Sequence, residues 1–212
     1  MTYLADVGAL ARKDLLLELR SRDTLPAMLL FVVSTLVVFS FALPAEAPPT
    51  AAYGLLWMAI VFTAILGLTR AFAAEREQRV LDGLVLAPCD RSAIWLGKVV
   101  AVLAFLAAAE VVAVPAFALF FEPVTWELVA ALALANVGLA AIGTLLAAMA
   151  AASRARELLL PLLLLPLVIP LVVGGVGATI AEEPGRYLGF LVLYDLIFAI
   201  LSWASFEYVV TE

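Results

Sequence analysis

Three side chains that form strong hydrogen bonds lie inside long apolar stretches of this 212-residue chain: Glu110, Asn136 and Asp195. A carboxyl or amide group is costly to bury in hydrocarbon, so these residues are candidates for contact with a polar substrate group or with a partner's membrane helix. The alternative interpretation is structural. In it, the carboxyls are protonated and each polar group forms a hydrogen bond with a neighbouring helix. The sequence leaves both interpretations open.

Several other kinds of chemistry are excluded by residues that the sequence lacks. Histidine is absent and Cys89 is the one cysteine, which excludes histidine ligation of a metal or haem, a cysteine-based zinc cluster and an internal disulfide. A phosphate-binding P-loop needs Gly-Lys followed by Ser or Thr, but Gly97 and Lys98 are followed by Val99. ATP, if it is used, must therefore be hydrolysed by another chain. No motif of an intramembrane enzyme is present.

The elements that position these residues are membrane-spanning helices. Hydrophobic residues make up 66% of the chain and charged residues 14%, and the mean hydropathy is +1.15, which together indicate an integral membrane protein. A helix needs about 20 mostly apolar residues to cross the hydrocarbon core. Six segments meet this requirement, near residues 25–43, 51–73, 93–121, 127–151, 158–180 and 187–209. We predict an all-α membrane protein with one transmembrane domain, residues 1–212.

The basic residues predict the orientation in the membrane. With a cytoplasmic N-terminus, six spans place all but one of the Lys and Arg residues on or near the cytoplasmic side. These residues are Arg12, Lys13, Arg20, Arg22, Arg70, Arg76, Arg79, Arg91, Lys98, Arg154 and Arg156. Arg186 alone falls outside. Both termini are therefore expected in the cytoplasm of a prokaryotic cell, with the spans in the inner membrane.

A short amphipathic helix is predicted at residues 75–88, in the cytoplasmic connection between spans two and three. At 100° per residue its two faces separate charge from apolar side chains, and a proline ends it. The charged face carries Glu75, Arg79 and Asp82, the apolar face carries Val80, Leu81 and Leu84, and the proline is Pro88. The helix is either a loop lying in the lipid headgroups or a docking surface for a cytoplasmic partner.

A second amphipathic helix is predicted before the first span, at about residues 4–22, lying in the plane of the membrane surface as an anchor. Its apolar stripe is Leu4, Val7, Ala11, Leu15 and Leu19, and its charged positions are Asp6, Lys13 and Arg20.

Span five contains three prolines, Pro161, Pro166 and Pro170. Each removes a backbone donor and displaces the carbonyl four residues earlier, so we expect the helix to bend or break more than once. The bend is either static or part of a transport cycle, and the glycines of Gly174 to Gly177 are expected to make the chain beyond it pliable.

The predicted arrangement resembles the type-2 ABC exporter permeases, which have an in-plane N-terminal helix, six spans and a coupling helix between spans two and three. Within that group the sequence resembles the CcmB family, the haem exporter B subunit of cytochrome c maturation systems. Relatives carry Leu-Asp-x-Leu-x-Leu-x-Pro with a later lysine, and Leu-Pro-Leu-x-Ile-Pro-Leu in span five. The matching residues are Leu81, Asp82, Leu84, Leu86, Pro88 and Lys98, and Leu165 to Leu171. Arg79 replaces a glycine that many relatives have.

The resemblance implies a permease that couples ATP hydrolysis by a separate subunit to release of a haem chaperone. The implied partners are a CcmA-like ATPase, a haem-handling CcmC-like subunit, a small CcmD-like subunit, a CcmE-like haem chaperone, membrane lipid and a second copy of the chain, with no nucleic acid. Haem is the implied cargo, and no cofactor is expected on this chain, since Met28, Met58, Met149 and Cys89 are its only candidate haem ligands. The alternatives are a lipid or drug exporter permease and a structural scaffold for partner subunits.

Overall fold

The fold is all-helical in a computed structural model that describes residues 3–21, 24–44, 46–71, 90–153 and 156–211. Within these ranges the chain forms seven helices. They are α1 (Tyr3–Ser21), α2 (Thr24–Ala42), α3 (Pro49–Arg70), α4 (Arg91–Phe120), α5 (Trp126–Ala152), α6 (Arg156–Ile180) and α7 (Pro184–Thr211). All of the described structure is helix or short connection, which confirms the predicted all-α class.

Six of the helices, α2 to α7, are long and apolar enough to cross a membrane. Their ends lie within about one helical turn of the predicted spans. Local signals account for the starts: the Asp90 carboxylate accepts the Ser92 N–H at the start of α4, and the Thr125 hydroxyl accepts the Leu128 N–H at the start of α5. Proline occupies the first position of α3 and of α7, where no helical donor is lost.

Helix α5 is the most buried of the six spans and packs against α7 and α6 most extensively. Helix α2 lies at the edge and buries only one stripe, which is Thr24, Met28, Val32 and Leu36. The largest side chains in the core are Trp57 on α3, Phe117 on α4 and Phe206 on α7. The outward faces of the spans are apolar and exposed, as lipid-facing surfaces are.

Helix α6 is continuous from Arg156 to Ile180 although it contains three prolines. The prolines therefore do not break it, and the predicted bend stays a prediction. Between Pro166 and Pro170, the Tyr194 hydroxyl of α7 donates a hydrogen bond to the Leu167 carbonyl, which gives the backbone of this stretch a partner on a neighbouring helix.

The glycines that follow the prolines lie inside α6 and permit close packing. A Cβ at Gly175 would collide with the Trp57 indole, and one at Gly177 would collide with the Tyr187 ring. These glycines bring α3 and α7 close to α6, as small residues do between membrane helices. The expected pliability of the chain beyond them stays a prediction.

The two ends of the chain lie at the same end of the bundle. The Tyr3 hydroxyl lies 3.2 Å from the Ser92 hydroxyl, and the Arg91 guanidinium lies 3.1 Å from the Glu207 carboxylate. Residues near both termini thus contact the first turn of α4. Arg70, Arg91 and Lys98 also lie here, and we call this end of the bundle the basic end.

Candidate functional site

Two of the three predicted intramembrane polar residues contact each other. The Asn136 Nδ2 on α5 donates to the Glu110 Oε2 on α4 over 2.8 Å. Asn136 is buried, and the Glu110 carboxyl borders a small cavity lined by apolar residues and Thr63. The Glu110 Oε1 and the Asn136 Oδ1 have no hydrogen-bond partner among the described residues. The pair joins two spans at mid-membrane depth, and each partner retains one unused oxygen.

Asp195 does not join this pair. It lies on α7 with only 6% of its surface exposed, and neither carboxyl oxygen has a hydrogen-bond partner in the described part of the chain. A Cβ at Gly138 of α5 would come within 2.5 Å of the Asp195 Oδ1, so glycine at that position leaves room for the carboxyl. A buried carboxyl without a partner needs an explanation, such as a proton, water or a transient ligand.

A third polar cluster, which sequence reasoning did not find, joins α1 to the spans. Lys98 is 4% exposed, and its Nζ lies 3.0 Å from the Asp14 Oδ2 and 2.7 Å from the Ala71 carbonyl oxygen. The other Asp14 oxygen lies 3.0 Å from the Lys13 Nζ. Because Ala71 ends α3, one ammonium group connects α1, α3 and α4.

Helix α1 approaches α4 closely beside this cluster. A Cβ at Gly97 would lie 2.8 Å from the Leu10 Cβ, so glycine is needed for the contact. Of the predicted apolar stripe, Val7 and Ala11 are buried in this contact, whereas Leu4 and Leu19 are exposed on the surface of the bundle. Asp14 lies on the face that meets α4, so a polar side chain joins the two helices beside the apolar ones. The anchoring of α1 in the membrane surface stays a prediction.

The predicted coupling helix, residues 75–88 with Glu75, Arg79, Val80, Leu81, Asp82, Leu84 and Pro88, lies outside the described residues. The residues that flank it are held in place. Ala71 accepts the Lys98 ammonium before it, and Asp90 caps α4 after it, where hydrogen bonds from Ser92 lower the pKa of the Asp90 carboxyl.

Of the candidate haem ligands, Cys89 lies outside the described residues, and the three methionines differ in their surroundings. Met28 is fully buried, whereas Met58 and Met149 are exposed. The Met28 sulfur packs against Gly67, where an added Cβ would lie 3.2 Å from it. In the described part of the chain no three Cys, Asp or Glu residues are placed to hold a metal ion. These methionines have the positions of packing residues.

Comparison of the sequence with known proteins identifies its family. The family model described as "CcmB protein" matches residues 6–206. The chain belongs to the CcmB family. It is also 33% identical over 172 residues to "Heme exporter protein B" of Rhodobacter capsulatus, and the match covers 79% of each chain. CcmB proteins are permease subunits without an ATPase domain, so this chain is a membrane subunit of a transporter and the absence of a P-loop is explained.

The sequence of this CcmB chain contains a signal for one residue in each of three contacts between helices. Asp14 follows Val7 by seven residues, which places it within about 20° of the same helix face. Gly138 follows Asn136 by two residues in a long apolar run, where an isolated glycine marks a close approach. Tyr194 precedes Asp195 near the middle of its span. None of these signals identifies the partner residue, because each partner lies on another helix.

Proposed function

We propose that the chain is the permease subunit of an ABC-type complex that delivers haem for cytochrome c maturation. The family match over residues 6–206 carries this proposal, and the name of the Rhodobacter capsulatus relative supports haem export over export of a lipid or drug. Haem is the cargo of the complex, and ATP is held by a separate subunit. This chain supplies the membrane part that converts ATP hydrolysis into release of the haem chaperone.

The proposed coupling element is the connection between α3 and α4. It contains the predicted amphipathic helix 75–88, and its flanking residues are tied to α1 and α4 by Lys98 and Asp90. Because Ala71 and Asp90 are already held by these contacts, no binding energy would be needed to order them when the ATPase moves this connection. The charged face with Asp82 is the proposed docking surface for the ATPase subunit.

The basic end is proposed to face the cytoplasm, with both chain ends there. Contacts from Tyr3 and Glu207 to the first turn of α4 support a common side for the two ends, and the distribution of Lys and Arg supports the cytoplasm as that side. Cys89 tests this orientation. An impermeant thiol reagent should label it only after the cytoplasmic side is opened, and labelling of intact cells would contradict the orientation.

The remaining partners are proposed from family membership: a haem-handling membrane subunit, a small membrane subunit, the haem chaperone and a second copy of this chain. An ABC ATPase with two identical nucleotide sites favours a complex with two permease chains. For the polar groups, the Asn136 hydrogen bond supports a structural role for Glu110. Asp195, whose oxygens have no partner among the described residues, is the stronger candidate for a functional polar group.

The experiment is an ATPase assay on the purified complex, with and without the chaperone loaded with haem. ATP hydrolysis that responds to the loaded chaperone, and that requires this chain, is the expected result. Hydrolysis that responds instead to lipids or drugs, and is unchanged by the chaperone, would favour a different cargo. If the complex assembles normally but its ATP hydrolysis does not depend on this chain, the chain is a structural scaffold for its partner subunits.

A further inference from the structure

A cleft opens at the basic end between α1 and the adjoining parts of α2, α3 and α4. The free space in and in front of it, which includes open solvent at its mouth, is about 560 Å³. Its inner part is lined by apolar side chains, which include Met28, Val102, Phe105 and Leu106. Leu17 and Arg70 at its edge are exposed, so the cleft opens at the surface of the bundle.

The mouth of the cleft carries charges of both signs. The charged residues that line it are the acids Asp14 and Glu18 and the bases Arg70 and Lys98. Asp14 and Lys98 form an ion pair with each other, and the other two charges, Glu18 and Arg70, are of opposite sign. A ligand with one positive and one negative group would be complementary to Glu18 and Arg70.

A buried hydroxyl in the cleft has no partner. Thr24 lines the cleft and is 5% exposed, yet its Oγ1 has no hydrogen-bond partner among the described residues. Thr24 is the first residue of α2, and its backbone N–H donates to the Glu18 Oε1 over 3.1 Å. Buried hydroxyl groups almost always have a partner, so the Thr24 side chain points to a polar ligand in the cleft.

We propose that the cleft binds one molecule of phosphatidylethanolamine. Its phosphate lies at Arg70, its ammonium lies beside Glu18 and the Thr24 Oγ1, and one acyl chain follows the apolar lining. From Lys98 to Leu106 the lining of α4 is about 12 Å long at 1.5 Å per residue, which suits the upper part of an acyl chain. This inference is independent of the proposed function, because it concerns a bound lipid and not the cargo.

The headgroup is chosen by its chemistry. A primary ammonium donates hydrogen bonds to a carboxylate and to a hydroxyl oxygen, whereas the quaternary ammonium of phosphatidylcholine cannot donate. Phosphatidylglycerol could place its phosphate at Arg70 in the same way, but its headgroup has no ammonium to lie beside the Glu18 carboxylate. Phosphatidylethanolamine satisfies both halves of the mouth.

The experiment is native mass spectrometry of the full-length protein, purified with its complex in mild detergent and then exchanged into nanodiscs of defined lipid mixtures. The wild type should retain one phosphatidylethanolamine in preference to phosphatidylcholine and phosphatidylglycerol. The variants Thr24→Val and Arg70→Gln should each lower the retained fraction about tenfold, which is the effect of losing one hydrogen bond to a charged group.

Matched substitutions at the other end of the bundle serve as controls. Thr179→Val changes a threonine that bonds to the Gly175 carbonyl of its own helix, and Arg186→Gln changes an exposed arginine. Both should retain the lipid as the wild type does, and all four variants should unfold at similar temperatures. Equal retention of the three lipids, or retention that Thr24→Val and Arg70→Gln leave unchanged, would overturn the proposal and show that the cleft is filled by protein or by lipid without selection.

Discussion

The Lys98 Nζ lies 3.0 Å from the Asp14 Oδ2, so a lysine at the base of one span forms an ion pair with the helix that precedes all the spans. The pair is buried, with 5% of the Lys98 side chain and 11% of the Asp14 side chain exposed. Since the same ammonium also binds the Ala71 carbonyl, the N-terminal helix and the start of the proposed coupling connection share one cation.

The first prediction concerns this ion pair. Lys98→Met should lower the free energy of unfolding by about 2 to 3 kcal/mol, because a buried carboxylate loses one of two cations. The double variant Lys98→Met with Asp14→Leu should recover most of the loss. Unfolding in detergent measures both effects. As the control, Arg91→Gln breaks a more exposed pair with Glu207 and should cost about 1 kcal/mol or less; an equal loss in both cases would contradict the buried link.

The second prediction separates the two interpretations of Glu110. Glu110→Gln keeps an oxygen that can accept the Asn136 hydrogen bond, so folding, assembly and ATP-dependent turnover should all stay near wild type. A double-mutant cycle with Glu110→Leu and Asn136→Leu should give a coupling energy of about 0.6 to 1.7 kcal/mol, the range for such bonds in membranes. Loss of turnover in Glu110→Gln at an unchanged unfolding temperature would show that its carboxylate has a functional contact.

The third prediction concerns the prolines of α6. Pro166→Ala together with Pro170→Ala restores two backbone donors and should make the helix stiffer. If bending of α6 is part of the transport cycle, the double variant should insert and assemble while ATP-dependent turnover falls. Turnover is measured on the purified complex, and Tyr194→Phe, which removes the hydrogen bond to Leu167 while leaving the prolines, is the companion variant. Normal turnover in the double proline variant would establish a static helix.

The fourth prediction concerns Asp82, on the charged face of the proposed coupling helix. Asp82→Arg should place an unpaired or repulsive charge in the docking contact. If that contact is desolvated, ATPase docking should weaken by about 2 kcal/mol or more, while expression and topology stay normal. Leu81→Asp, on the opposite face, should impair insertion or stability because it removes an apolar contact with the membrane. Co-purification of the ATPase subunit with each variant is the measurement. Full retention of the ATPase by Asp82→Arg, with normal activity, would make this segment a surface loop.

The number and order of the spans could be predicted because hydrocarbon imposes a strict local condition. A segment that crosses the membrane must be long, apolar and internally hydrogen-bonded, and each of these properties can be determined from consecutive residues. The predicted span at residues 158–180 matches the apolar part of α6, Leu158–Ile180, for this reason. The family could also be recognised from two short motifs, one of them in this span.

The contacts between helices were decided only by the tertiary structure. Periodicity gave α1 an apolar stripe but did not identify its neighbour. The helix meets α4 through the ion pair of Asp14 with Lys98 and the close approach of Leu10 to Gly97, and the partners in both contacts are far apart in sequence. Glu110 pairs with Asn136 while Asp195 lies apart against Gly138, and hydropathy gives all three residues the same status. When every face of a helix is apolar, composition cannot show which face meets a neighbour; close packing and the need to satisfy polar groups choose that face.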